Sequence, residues 1–365
     1  MPFGKRLIRI IPNRSMKSVT ELPLHGGKAP RWLFHRMVRL GRAISYVMMD
    51  DFGSDELMRR LSDSNWFQAL SCAMGYGWHS SGTTTVTMGA LKEALNDSGE
   101  VFIAGGKGKA GIKTPQDIKE GVDRLSIPGM ADEFIEKSRL SAKIDSAMVY
   151  EDAGIYHHSF VFSRRKKWVV IQQAISAKNK KAIRFQWLSD YVNEKDISNE
   201  PHAGISSDLR LKTLDLTCEA NAWTHPASID ALHEVAGRNP GILKYPSRHQ
   251  IYPEVDIGKR GADAIRKAAE ADPSDYEDLL LVKGVGRATL RSLAFIASLI
   301  YDKDLSYRDP VTYSYALGGK DGIPFPINQK TYDSVIESME HLIDAANIER
   351  GEKYLALKRL SNSLR

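Results

Sequence analysis

The sequence predicts an α+β protein: a helical N-terminal region, a central antiparallel β-meander, and a helical C-terminal domain carrying a helix-hairpin-helix. Three observations lead there. Apolar residues recur at helical spacing from Ala29 to about Leu95, the period changes to two between about Glu100 and Leu216, and helical spacing returns from about Asp256. The expected units are residues 1–99, 100–216, a linker at 217–255, and 256–365.

In the first unit Trp32, Leu33, Met37 and Leu40 share one helical face, and Leu57, Leu61, Phe67 and Leu70 continue the pattern. Met1 to Ile11 has a basic start but no sustained apolar run or small-residue cleavage site, so it reads as an ordered strand or basic arm. In the second unit, strands are expected at Val101 to Ala104, Lys143 to Tyr150, Tyr156 to Phe162, Trp168 to Ile175 and Ala182 to Trp187. Polar turns at Asp152-Ala-Gly154, Arg164-Arg-Lys-Lys167 and Lys178-Asn-Lys-Lys181 would join them. The Pro- and His-bearing stretch from Asn221 to Pro253 is expected to wander over the surface as a linker.

The chain has 365 residues, 42% of them apolar and 26% charged, an ordinary globular mixture long enough for two or three cores. A net charge of +6 and a pI near 9.0 are compatible with a polyanionic partner. Two distant cysteines, Cys72 and Cys218, exclude a zinc finger or disulfide framework and fit an intracellular, cytoplasmic protein. No apolar run is long enough to span a bilayer.

The sharpest motif is Asp278 to Arg291, continuing to Ile300. Leu279, Leu280 and Val282 close a short helix, Gly284-Val285-Gly286 permit a tight turn, and Thr289, Leu293, Ile296 and Ile300 recur at helical spacing beyond it. The N–H groups of Gly284, Gly286 and the first helical turn would point at a phosphate, with Lys283, Arg287 and Thr289 beside them. Such a grip reads backbone and not base sequence; the other reading is a plain connector between packed helices.

The meander carries polar groups among its apolar ones: Asp145, His157 and His158, Gln172 and Gln173, Arg184 and Gln186. Neighbours on a strand face opposite ways, so one histidine and one glutamine are expected to join Asp145 on one face. That set suits a divalent metal, Mg or Mn, held by Asp145 and His158, with Lys107 neutralising charge in phosphodiester hydrolysis. Restriction-type nuclease cores resemble this in part, but the lysine expected two residues after the Glu or Gln is replaced by Ala174 or Ile175. The same groups suit a hydrogen-bonded polar seam or a passive nucleic-acid platform.

Gly-Gly-Lys occurs three times, ending at Lys28, Lys107 and Lys320, against roughly 0.3 occurrences expected from this composition. Each is either a phosphate loop or a surface turn. His79, in a hydroxyl-rich loop, and the Glu200-Pro-His202 turn are further candidates.

The segments Glu21 to Leu33, Trp78-His-Ser-Ser-Gly82, Tyr156-His-His-Ser-Phe160, Gln172-Gln173, Arg308-Asp-Pro310 and Gly318-Gly-Lys-Asp-Gly322 resemble the mainly archaeal and bacterial family catalogued as domain of unknown function 763. That resemblance covers nearly the whole chain and implies no catalytic assignment. A weaker resemblance is to base-excision glycosylases, which place a catalytic Asp after such a hairpin; here Asn328 stands there, so Asp321 or Asp333 would have to serve.

The expected function is DNA binding in repair or recombination, as a metal-dependent, structure-specific endonuclease acting on branched or damaged DNA. The alternative is a non-catalytic nucleic-acid-binding adaptor. RNA is not excluded as a partner, and a homodimer would suit two-strand substrates.

Overall fold

The computed structural model describes residues 30–75, 82–207, 210–237, 243–244, 250–251, 259–312 and 329–363. Met1 to Ile11 lies outside the described residues, which open with four helices, α1 (Arg31–Phe52), α2 (Ser54–Ser62), α3 (Ser64–Met74) and α4 (Thr83–Leu95). Local chemistry separates them. Gly53 takes φ +85° between α1 and α2, the Asp63 carboxylate caps α3 by accepting from Asn65 N and Trp66 N, and Gly75 at φ +112° ends α3.

A five-stranded antiparallel sheet follows in simple order: β1 (Val101–Lys107), β2 (Ala153–Ser163), β3 (Trp168–Ser176), β4 (Ala182–Leu188) and β5 (His202–Ser207). Three helices are inserted between β1 and β2: α5 (Lys109–Ile112), α6 (Thr114–Arg124) and α7 (Ala131–Ile144). The fold class is therefore α+β as the periodicity predicts, with the turns at 164–167 and 178–181 in the expected places. One strand expectation is corrected. Lys143 to Tyr150 is the end of α7 followed by a single π-helical turn, Asp145–Val149, because Ile144, Ala147 and Met148 follow helical spacing into the core.

The remaining elements are β6 (Thr213–Leu214), α8 (Thr224–Gly237), β7 (Leu243–Lys244), β8 (Gln250–Ile251), α9 (Lys259–Glu270), α10 (Tyr276–Leu281), α11 (Arg287–Tyr301), β9 (Tyr307–Arg308), α12 (Gln329–Ala345) and α13 (Arg350–Ser363). The stretch expected to wander as a linker contains α8, whose Ala231 and Leu232 are buried against the same core as α11.

Helices cover the sheet on both sides. Phe102, Phe160, Phe162, Val170, Phe185 and Trp187 point toward α6, α7, α8, α10 and α11. Val101, Ile103, Val161, Val169, Ile171 and Leu188 point the other way, into a bundle of α1 to α4. Two buried faces explain why the strands read as runs of apolar residues instead of clean alternation. Helices α12 and α13 do not stay with α9 to α11: Val335, Met339, Leu342, Ile343, Ala356 and Leu360 lie in the N-terminal bundle's core. Residues 256–365, expected as one unit, thus divide between two cores.

Candidate functional site

Asp145 lies where α7 passes into the π turn, and it is completely buried. Its Oδ2 accepts from Gln172 Nε2 at 2.5 Å and Trp187 Nε1 at 3.0 Å, and its Oδ1 accepts from His202 Nε2 at 2.6 Å. Gln172 Nε2 also donates to the Ser141 carbonyl, which leaves its Oε1 to accept from His158 Nδ1 at 2.9 Å. With Nδ1 protonated, a neutral His158 accepts at Nε2 from the Ser138 hydroxyl, 2.8 Å away. The result is one hydrogen-bonded chain from Ser138 on α7, across β2 and β3, back to α7 and on to β5.

The environment sets the charges. Burial pushes the Asp145 pKa up, against the lowering pull of His202, Trp187 and Gln172. Burial holds His158 down to about 4, opposed in part by Gln172, so it is neutral at pH 7. His157 falls further, to about 3, because burial is joined by His158 and Lys107.

Of the residues expected to act together, Asp145, His158 and Gln172 meet. His157, Gln173 and Lys107 do not join them: the register pairs His158 with Gln172 and His157 with Gln173 and Lys107, which puts the second set on the sheet face toward the N-terminal bundle. There His157 Nε2 pairs with the Ser159 hydroxyl, while its buried Nδ1 has no hydrogen-bond partner among the described residues. Gln173 donates to Tyr156 Oη at 2.6 Å, and Lys107 is exposed. Trp187 and Ser138 are absent from the expected set, and His202 is in it only through the Glu200-Pro-His202 turn. In the structure Glu200 takes φ +46° and pairs with Arg308, and His202 begins β5.

Asp145 and His158 as arranged do not fit a divalent metal. Three N–H donors already occupy the carboxylate, Gln172 stands between it and His158, and the remaining His158 nitrogen is turned to Ser138. Among the described residues no three His, Cys, Asp or Glu side chains converge as a metal set.

At Gly105-Gly-Lys107, the end of β1, the first glycine is closely packed. A Cβ on Gly105 would lie 2.3 Å from the His158 carbonyl oxygen. Its N–H donates to Asp117 and its carbonyl accepts from Lys92, so both backbone groups are engaged. The Gly-Gly-Lys segments ending at Lys28 and Lys320, and likewise His79, Asp321 and Asn328, lie outside the described residues.

The second site is the turn between α10 and α11. Asp275 caps α10 by accepting from Asp278 N, Gly284 takes φ +101°, and Gly286 is extended just before α11. Val285 is buried, and Lys143 on α7 donates to its carbonyl, which pins the turn from beneath. Lys283 and Gly284 are exposed. No side chain caps α11, so the N–H groups of its first turn have no helical partner. Two residues expected at a phosphate are turned inward: Arg287 donates to the carbonyls of Ser146, Glu151 and Ala153, and Thr289 is buried. Arg287, the first residue of α11, reaches the π turn of α7 through the Ser146 carbonyl.

The fold and these two places define an α+β protein with an antiparallel sheet clamped between helical layers, a saturated polar chain inside it and an open helix start at its surface. The chain belongs to the family described as protein of unknown function DUF763, whose model matches residues 18–327. No curated protein and no solved structure matches it. Among the described residues no helix is long and apolar enough to cross a membrane.

Proposed function

We propose that this protein binds nucleic acid, DNA first, by its phosphate backbone at the turn before α11, and that the Asp145 chain fastens α7 to the sheet and is not a cutting centre. The observation that carries this reading is the Lys283-Gly284 turn: exposed, anchored by Val285 and Lys143, and placed before the first turn of α11, which no side chain caps among the described residues. Arg139 is exposed on α7 one turn before Lys143, adding charge on that side of the turn, and the net charge of +6 agrees in sign. The saturation of Asp145 favours the adaptor reading over the endonuclease.

The test is fluorescence anisotropy on labelled single-stranded, duplex, flap and branched DNA and on RNA across a salt series, for the wild type, Lys283→Ala and Gly284→Val. Salt-sensitive binding weakened by both variants supports the proposal. Binding that neither variant changes would sink it. The same substrates incubated with Mg²⁺, Mn²⁺ or chelator decide the remaining question, since metal-dependent products lost in Asp145→Asn would restore the endonuclease.

A further inference from the structure

We propose a phosphate-binding site at Arg291, on α11 one helical turn beyond Arg287, guarded by the side chain of Glu151. It deepens the reading above and rests on it only for the source of the phosphate. Three arginines, Arg287, Arg291 and Arg308, differ in what they hold. Arg287 gives its guanidinium to backbone carbonyls, and Arg308 makes a two-pronged pair with Glu200 at 2.6 and 3.1 Å and reaches Asp215 at 2.7 Å. Arg291 lies near Arg287 but has no such set. It is only 8% exposed, and Nε, Nη1 and Nη2 all lack a hydrogen-bond partner among the described residues.

The nearest anion is Glu151 Oε1, 3.6 Å from Nη1, beyond hydrogen-bond reach. That carboxylate is on a side chain 68% exposed, while its backbone carbonyl is tied to Arg287, so the side chain can swing without moving the chain. Asp215 also faces Arg291, but its oxygens already accept from Arg308 and Thr217. Tyr307 and the buried Tyr276 are further polar neighbours among the described residues. Burial lowers the Arg291 pKa, opposed by Glu151 and more weakly by Tyr307 and Asp215, with Arg287 adding to the lowering.

A buried guanidinium with unmade hydrogen bonds is costly, and its planar fork matches two oxygens of one phosphate. An arriving phosphate would take the place over Nη1 that Glu151 now shadows. The chemistry fits inorganic phosphate, a phosphomonoester or a nucleic-acid phosphodiester alike.

The experiment measures thermal unfolding of the full chain in inorganic phosphate and in chloride at equal ionic strength. Expected is a phosphate-specific rise in Tm that Glu151→Gln strengthens, with phosphate affinity up about two- to fivefold, the range of an exposed ion pair removed. Arg291→Met should keep or raise Tm in chloride and lose the phosphate shift. A wild-type Tm equal in both salts, or a phosphate shift that persists in Arg291→Met, would overturn the proposal. Should Arg291→Met fail to fold, Glu151→Gln decides alone, and unchanged phosphate affinity counts against the site. An oligonucleotide arm separates the sources: a salt slope reduced by about one in Arg291→Met assigns a backbone phosphate, and an unchanged slope assigns a small phosphate. Loss of DNA binding in Lys283→Ala with the phosphate shift intact would show the two sites to be separate.

Discussion

One face of the sheet buries a carboxylate and the other buries a guanidinium, and the two are held in different ways. Asp145 sits among three N–H donors at 2.5 to 3.0 Å, each fixed in direction by its own strand. Arg184, 1% exposed on the bundle face, lies over the Phe67 ring at 4.6 Å and reaches Gln68 Oε1 and the Ser64 carbonyl at 3.3 and 3.5 Å. Short directed bonds specify a single geometry, whereas a ring face and long contacts tolerate adjustment. Asp145 is therefore the more precisely held of the two groups and Arg184 the more tolerant, although the bundle face has directed bonds of its own, as at Gln186, which accepts from Ser64 at 2.6 Å and donates to the Leu61 carbonyl at 2.7 Å.

The strongest way to break that comparison is to remove Asp145. Asp145→Ala strands Gln172, Trp187 and His202 without their acceptor and should cost about 3–5 kcal/mol in denaturant unfolding. Asp145→Asn keeps one acceptor oxygen and should cost about 1–3 kcal/mol. Equal, small losses in both would mean that the chain of bonds contributes little.

Acid sharpens the contrast next, because a histidine lies on each face. His157 and His158 have folded pKa values of about 3 and about 4 against 6.5 for the free side chain, so between those values the unfolded state binds more protons. Stability should be full above pH 6.5 and decline as pH falls, the His158 share ending near pH 4 and the His157 share near pH 3. Asp145, with its pKa raised, acts in the opposite sense: its share is present below pH 3.8 and lost as pH rises. A urea midpoint followed from pH 8 to 4 in the wild type and in His157→Leu should show the flatter profile in the variant.

Arg184→Met tests the other group. It keeps most of the side-chain volume and loses the ring contact, so it should cost about 2 kcal/mol, less than Asp145→Ala. A loss as large as that of Asp145→Ala would erase the difference between the two groups. The smallest effect is at the surface, where Lys283→Ala should leave unfolding unchanged and lower the slope of log affinity against log salt by about one.

Much of the architecture was legible in the sequence. Val101 to Ala104, Tyr156 to Phe162, Trp168 to Ile175 and Ala182 to Trp187 all fall within strands, because β-branched and aromatic runs between polar turns leave few other solutions. Lys143 to Tyr150 misled because a short apolar stretch has no decisive period, and only its continuity with α7 identifies it. Strand β5 stayed hidden because His202-Ala-Gly-Ile-Ser-Ser207 carries little apolar signal and pairs at the sheet's edge. For the site, alternation separated His157 from His158 correctly in principle. It could not say which one faced Asp145, since that depends on the β2–β3 register and on the π turn. Arg287 looked like a phosphate ligand because nothing local reveals that the carbonyls of Ser146, Glu151 and Ala153 lie within its reach.

The return of α12 and α13 to the N-terminal bundle has a consequence for how the molecule is made. Met37, Leu57, Trp66 and Leu91 emerge early from the ribosome, but the bundle they belong to is completed by Met339, Leu342 and Leu360, near the end of the chain. At about 5–20 residues per second the early helices wait for tens of seconds before that seam can close. During that time they are a sticky, half-built surface. Synthesis of this protein is thus an interval in which a chaperone has something to hold, and stalling before α12 would release a chain poised to aggregate.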